Sequence, residues 1–174
     1  PSPVQSSYCG RVKVSLNGAV VAAVCSNWVN LGALVVGDVA AGGPLTFIPG
    51  MYGSTSTLQT QVGGLSFDGK LLAFSHPGSL PVSNPGFESS GVFVLDTQTQ
   101  QITGAGSGTF GQVLDQCRNA TLSADGRWLA YSCDFASERQ LFIMDLSTRA
   151  VTGLGRGDQP SLCGRAGTIN FVRP

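Results

Sequence analysis

One short segment of the chain occurs three times, and this repeat constrains the fold more than any other feature. Each copy has an apolar run, a serine, one variable residue, Asn-Gly or Asp-Gly, and a second apolar run. The copies align without gaps over residues 9–25, 60–76 and 117–133. Three loop residues that end in glycine are typical of a type I turn closed by a left-handed glycine, which joins two antiparallel strands. Each copy is therefore predicted to form a β-hairpin.

A further pair of strand-like segments follows each predicted hairpin. The first is an apolar run that ends at an aspartate, at residues 33–38, 92–96 and 141–145. The second is weaker, at residues 44–48, 101–103 and 150–152. Four short strands in roughly 40–55 residues match the size of one β-propeller blade. The sequence predicts an all-β fold in a single propeller domain or propeller segment over 1–174, with four-stranded repeats at about 9–50, 60–106 and 117–156 and a partial fourth at 159–174.

The best-formed repeats resemble a known family. Residues 122–132 read Leu-Ser-Ala-Asp-Gly-Arg-Trp-Leu-Ala-Tyr-Ser, and residues 141–148 read Leu-Phe-Ile-Met-Asp-Leu-Ser-Thr; residues 65–75 and 92–99 repeat the pattern. This pattern resembles the blade repeat of TolB-like β-propellers, in which serine, proline, aspartate, glycine and a basic residue precede an Ala-Phe strand. The family's proline is replaced here by Leu16, Phe67 and Ala124. The resemblance implies a propeller and says little about function, because this fold hosts many activities.

The cysteines follow the repeat. Cys9 and Cys25 occupy the same two repeat positions as Cys117 and Cys133, so the members of each pair face one another across a predicted hairpin. This register predicts the disulfides Cys9–Cys25 and Cys117–Cys133, with four buried thiols as the alternative. Cys163 is left over, as a buried thiol or half of an intermolecular bridge. Two disulfides predict an oxidising compartment, so the protein is expected to be secreted, extracellular or periplasmic.

Composition and motif searches argue against several function classes. Ten basic and ten acidic residues cancel, and charged residues make up 11% of the chain, so neither nucleic acid nor anionic lipid is an expected partner. No apolar stretch approaches the roughly 20 residues that span a bilayer, so membrane insertion is not expected. Zinc would need closer cysteine pairs, and calcium at Asp115, Asp134 or Asp158 lacks an Asp-x-Asp-x-Asp loop. No metal and no cofactor are therefore predicted.

The sequence also lacks a recognisable catalytic site. His76 is the only histidine, and there is no Gly-x-Ser-x-Gly motif to supply a nucleophile for it. The repeat aspartates are explained as turn-capping residues. Asn119 begins a formal glycosylation sequon, but it lies in a predicted strand, where chance is the better explanation. The chain is predicted not to be an enzyme.

Loop length and aromatic placement indicate a recognition face. The loops between second and third strands share one face of a propeller with the connections between blades, and the loop at residues 76–90 is the longest of its kind. Aromatic residues in such loops offer contact area at low entropic cost. The candidate partner-binding residues are Trp28, Tyr52, His76, Phe87, Phe110 and Phe135.

These observations predict a non-enzymatic extracellular β-propeller module. It would bind a protein partner or assemble with copies of itself into a homo-oligomeric ring or fibre (filament). The alternative is the accessory propeller of a secreted hydrolase whose catalytic domain lies outside this chain. A free-standing small-molecule enzyme has the least support.

Overall fold

The computed structural model describes residues 8–26, 33–39, 41–42, 46–48, 60–86, 91–105, 117–135, 138–163 and 168–171. Within these ranges the chain forms fourteen β-strands, most of them joined by tight turns. No helix in the described ranges is long and apolar enough to cross a membrane.

Twelve of the strands form three four-stranded antiparallel sheets, each with its strands in chain order. Blade 1 contains β1 (Tyr8–Val14), β2 (Val20–Ser26), β3 (Ala33–Asp38) and β4 (Thr46–Phe47). Blade 2 contains β5 (Gln61–Leu65), β6 (Leu71–Ser75), β7 (Val92–Asp96) and β8 (Ile102–Gly104). Blade 3 contains β9 (Cys117–Leu122), β10 (Trp128–Phe135), β11 (Glu138–Asp145) and β12 (Val151–Arg156). The terminal hairpin contains β13 (Pro160–Cys163) and β14 (Thr168–Phe171), so the prediction of three four-stranded repeats and a partial fourth is confirmed.

The repeated segment, Ser-x-Asn-Gly in blade 1 and Ser-x-Asp-Gly in blades 2 and 3, closes each hairpin by the same hydrogen bonds. In blade 2, Ser66 Oγ donates to Asp68 Oδ1 at 2.8 Å, and the same carboxylate oxygen accepts the Lys70 amide at 3.1 Å. These donors, the Lys70 amide first, hold the pKa of Asp68 below its usual value. Gly69 has φ 76°, the left-handed conformation that the sequence predicts for the last loop residue.

The aspartates that end the third strands cap the next turn. Oδ1 of Asp38 accepts the Ala41 amide, and Oδ1 of Asp96 accepts the Gln98 amide, each at 2.9 Å. Asp145 has the same role in blade 3, where its Oδ1 accepts the Ser147 amide at 2.9 Å. The prediction that these aspartates have a structural role is confirmed.

The hydrophobic core lies between successive blades. Phe74 and Phe93 stack at a centroid distance of 5.5 Å, and they pack against the apolar face of blade 1. Tyr131 and Phe142 repeat this arrangement at 5.7 Å, and they pack against blade 2. Because both pairs are buried, blades 2 and 3 each depend on the preceding blade to exclude water from their aromatic side chains.

The first strands of the blades are neighbours in space. β1 contacts β5, β5 contacts β9, and β9 contacts β13. The approach of β5 to β9 is close enough that a Cβ atom at Gly63 would overlap the backbone carbonyl oxygen of Ala120. The inner row of strands therefore requires a glycine at this position.

Both predicted disulfides are present. Cys9 pairs with Cys25, and Cys117 pairs with Cys133, each with a Cα–Cα distance of 4.0 Å and a sequence separation of 16 residues. The β-ladders place the members of each pair directly opposite one another, as the repeat register predicts. Each bridge ties the first strand of a blade to the second.

Candidate functional site

Most of the predicted recognition residues lie outside the part of the chain that the structure describes. This applies to Trp28, Tyr52, Phe87 and Phe110. Phe135 is the last residue of β10, but only its backbone is described. Partner contacts at these five residues therefore stay a prediction.

His76 is described, and it does not lie on the surface. Only 5% of the residue is exposed, and its Nδ1 lies 2.9 Å from the hydroxyl of Thr60. These two residues occupy the repeat positions that hold the disulfides in blades 1 and 3. The contact between Thr60 and His76 therefore joins the two strands of the blade 2 hairpin from inside the fold. Because His76 is buried, the prediction that it contacts a partner at the surface is corrected.

Burial gives His76 a pH-dependent effect on stability. Desolvation lowers the pKa of its imidazole below the usual value near 6.5. The unfolded chain therefore takes up this proton first as the pH falls. We expect the free energy of unfolding to be maximal above about pH 6.5 and to decrease below it, by at most about 1.4 kcal/mol per pH unit.

Urea unfolding between about pH 8 and pH 5.5 measures this effect. The matched control is His76→Asn, which retains a polar group near the Thr60 hydroxyl but does not titrate. Because His76 is the only histidine in the chain, the variant should lose most of the slope. The same slope in both proteins would show that His76 is not responsible.

The long loop after His76 has a structural task in its described half, residues 77–86. Leu80 is 2% exposed and belongs to the core between blades 1 and 2. Ser83 donates its amide to the Ile102 carbonyl at 2.7 Å, and Asn84 exchanges two side-chain hydrogen bonds with the backbone of Gly104. The loop thereby covers the outer edge of β8, which would otherwise be open to pairing with another strand. This coverage of β8 explains part of the length of the loop, from which a recognition face was predicted.

A network of charged side chains lies on blade 3. Asp134 pairs with Arg118 and Arg139, and Arg139 also pairs with Asp158. The side-chain amide of Asn119 donates to both the backbone carbonyl and the carboxylate of Asp158, each at 2.9 Å. Glycosylation would replace one of the two amide hydrogens that make these bonds, so the structure supports the chance explanation of the sequon. Of the three aspartates considered for calcium, Asp134 and Asp158 pair with arginine side chains, and Asp115 lies outside the described residues.

A second ion pair holds the turn side of blade 3. Arg127 donates to Asp145 Oδ2 from Nε at 3.1 Å and from its terminal nitrogen at 2.8 Å. These two hydrogen bonds to one carboxylate oxygen are the main reason that the pKa of Asp145 lies well below its ordinary range. The guanidinium also lies 4.9 Å from the ring centre of Trp128. Asp145 thus joins the turn to the start of β10.

An open groove of about 360 Å³ separates blades 1 and 2 on the turn side. Its charged lining residues are Asp38, Asp68 and Lys70. Both carboxylates already accept amides from their own turns, and Asp68 also pairs with Lys70 at 3.5 Å. The charged side chains that line the groove therefore serve to close the turns.

The exposed apolar side chains are the feature that sequence reasoning missed. In the described chain, the large ones are Val12, Val14, Leu16, Val39 and Phe67. Leu16 and Phe67 stand in the hairpin turns, where the resembling family has proline, and Val12 and Val14 lie on β1. The sequence signal for this exposure was the replacement of the family's proline by an apolar residue, because an apolar residue in an exposed turn has no packing role of its own.

The turns that carry these residues are joined by backbone hydrogen bonds. The Asn17 amide of blade 1 donates to the Phe67 carbonyl of blade 2 at 3.2 Å. The Phe67 amide donates in turn to the Ala124 carbonyl of blade 3 at 2.6 Å. The first strands and their turns therefore form one continuous inner row across the blades.

Neither protein-family models nor curated proteins match this chain, whereas solved structures do. TolB from Acinetobacter baumannii is 20% identical with a TM-score of 0.61, covering 88% of this chain and 34% of that one. The putative TolB from Agrobacterium tumefaciens is 17% identical with a TM-score of 0.62, covering 90% and 51%. This chain has a TolB-like β-propeller fold.

The same fold occurs in the β-propeller domain of the Trilobed protease from Pyrococcus furiosus. That structure is 18% identical, with a TM-score of 0.60, and the match covers 92% of this chain and 46% of that one. This chain therefore spans between a third and about half of the TolB and protease propeller chains that it matches. At these identities the likeness concerns the fold, and function has to be argued from the residues.

Proposed function

We propose that the chain is a non-enzymatic β-propeller module, forming a single domain, that binds other protein chains. The observation that carries this proposal is the set of exposed apolar residues on the inner row. Val12, Val14 and Leu16 are 54%, 56% and 73% exposed, and Phe67 is 43% exposed. Exposed apolar side chains that are grouped along one segment of the chain and the neighbouring turn favour a protein interface.

The position of these residues suits an interface. They lie on β1 and on turns that are tied to neighbouring blades by backbone hydrogen bonds. A surface held by a rigid scaffold loses little conformational entropy when a partner binds. The partner is another protein of the same compartment or a second copy of this chain.

The two disulfides support an oxidising compartment for this activity. Bridges of this kind persist in extracellular or periplasmic proteins and are rare in reducing cytosol. We therefore place the module outside the cytosol.

A photo-crosslinking amino acid at position 16 tests the proposal in the secreted, oxidised protein. We expect protein adducts, including adducts of the chain with itself, after illumination. The matched control is the same amino acid at Thr152, an exposed residue of the outer strand β12. Equal adduct yields at the two positions would contradict an interface on the inner row.

The second candidate is the accessory propeller of a secreted hydrolase. The similarity to the propeller domain of the Trilobed protease favours it. A catalytic domain encoded in the same natural protein would support it, and the propeller would then bind that domain or its protein substrate. Adducts at position 16 that join the propeller to the catalytic domain would identify this arrangement.

A further inference from the structure

We infer that the groove between blades 1 and 2 binds an arginine side chain of a partner protein, with the guanidinium on Oδ2 of Asp38. This inference rests on the proposed function and names a side chain that the module would recognise. The groove lies between two blades that are both present with all four strands. Its volume of about 360 Å³ is within the range of sites that bind small ligands, roughly 300–1,000 Å³.

Blade 3 shows how an arginine occupies the equivalent place within one blade. Arg127 follows the glycine of the hairpin turn, and its Nε and terminal nitrogen donate to Oδ2 of Asp145 at 3.1 and 2.8 Å. Oδ1 of the same carboxylate serves the next turn, where it accepts the Ser147 amide. The carboxylate therefore divides its two oxygens between a turn and a cation.

Blade 1 has the carboxylate of this pair but lacks the arginine. Asp38 corresponds to Asp145 in the repeat, and Ala19 corresponds to Arg127. The backbone is the same, because the residue after each aspartate donates its amide to the carbonyl of Ala19 or of Arg127, at 2.7 and 2.9 Å. Oδ1 of Asp38 accepts the Ala41 amide, and no cation in the described chain pairs with this carboxylate. A guanidinium at Asp38 therefore has to come from outside blade 1.

The charges that line the groove leave room for one cation. Ala19 and Asp38 line it on the side of blade 1, and Asp68 and Lys70 line it on the side of blade 2. Lys70 lies 3.5 Å from Asp68, so these two charges offset one another. Asp38 is exposed and contributes the remaining negative charge. One guanidinium would balance the charge of the lining residues.

The uncharged part of the groove suits the methylene groups of an arginine. Val20 and Val36 line it and also belong to the core between blades 1 and 2. Thr97 lines it from blade 2, whereas Leu146, at the same repeat position in blade 3, packs against the core between blades 2 and 3. Arginine can lay its apolar stem along such a surface while its charged end pairs with a carboxylate.

Blade 2 indicates that the cation is arginine and not lysine. Lys70 stands at the repeat position of Arg127, and Asp96 stands at that of Asp145. Among the described residues, Lys70 pairs with Asp68 of its own turn and not with Asp96. An ammonium is a point charge, whereas a planar guanidinium can donate two hydrogen bonds to one carboxylate, as it does in blade 3.

Exposed apolar side chains flank the groove. Val39 follows Asp38 and is 54% exposed, and Phe67 precedes Asp68 and is 43% exposed. Phe67 keeps this exposure although its blade has a neighbour on each side. A partner segment can thus cover apolar surface on the turns while its arginine enters the groove, and this combination distinguishes a protein from a free cation.

Titration of the oxidised, isotope-labelled chain with Nα-acetyl-arginine amide at low salt, followed by NMR, tests the inference. We expect saturable shifts of the backbone amides of Ala41 and Gly69, which lie at Asp38 and on the opposite wall. The dissociation constant should be on the order of a few millimolar, because the site is open to solvent. Nα-acetyl-citrulline amide has nearly the same shape without the charge and should bind roughly fivefold more weakly or less.

Two variants locate the binding at Asp38. Asp38→Asn should remove the preference for arginine over citrulline and keep the turn, because its amide oxygen can still accept the Ala41 amide. Ala19→Arg should weaken binding of the arginine probe by roughly fivefold or more, because its own guanidinium would occupy Asp38 as Arg127 occupies Asp145.

Asp96→Asn is the matched control, since Asp96 caps the equivalent turn of blade 2 but is not among the residues that line the groove. It should bind the arginine probe like the unmodified chain. Equal binding of the two probes, or unchanged arginine binding by Asp38→Asn or Ala19→Arg, would overturn the inference. Protein adducts at position 16 would then still support the proposed function, so the two failures are distinguishable.

Discussion

Replacing Gly63 with alanine is expected to lower the free energy of unfolding by about 3 kcal/mol or more, the upper end of overpacking effects. The added Cβ would overlap the carbonyl oxygen of Ala120 and would lie 3.0 Å from the carbonyl oxygen of Ala73. Both oxygens belong to backbone in β-strands, so neither can rotate away as a side chain would. β5 and β9 would have to separate, and this would disturb the core between blades 2 and 3.

Gly64→Ala is the matched control, one residue further along the same strand. Its Cβ would meet the Thr121 hydroxyl at 3.4 Å, an ordinary contact with a side chain. Alanine there should cost little or slightly stabilise the chain, because it restricts the unfolded backbone. Urea unfolding of the three proteins decides between them. A similar decrease in the free energy of unfolding for both variants would mean that strand propensity matters and that the close approach of β5 to β9 does not.

The features that the sequence predicts correctly are local. A hairpin turn needs only Ser66, Asp68 and Gly69, and all the hydrogen bonds that close it lie within a few residues. The disulfides follow from register across one such hairpin. Residues that touch within a single blade can therefore be predicted from one repeat.

Features that depend on contact between blades or between a loop and an edge could not be predicted in this way. Gly63 is constrained by Ala120 in the next blade, and Val14 is exposed because no blade precedes it in the described chain. The burial of His76 and the coverage of β8 by Ser83 and Asn84 depend on how a long loop folds back. Its aromatic content indicated recognition, whereas Leu80 shows that the loop also contributes to the core.

Blade 2 is expected to accept a third disulfide. Thr60 and His76 occupy the cysteine positions of the other blades, and the same 16 residues separate them. Their side chains already meet across the hairpin, so Thr60→Cys with His76→Cys should form a bridge. In the chain-entropy model, a loop of this length stabilises a protein by about 3 kcal/mol. The bridge would also remove the only imidazole, and with it the decrease in stability below about pH 6.5.

Non-reducing peptide mapping would show whether the bridge joins positions 60 and 76, and urea unfolding would give the gain. The control is the same double variant after reduction of all three bridges, compared with the reduced unmodified chain. There the gain should disappear, because two thiols replace the hydrogen bond between Thr60 and His76 without closing a loop. Free thiols at both positions in the oxidised, folded variant would contradict the equivalence of the three blades. A bridge without added stability would instead mean that the Thr60–His76 contact already provides what the disulfides provide in blades 1 and 3.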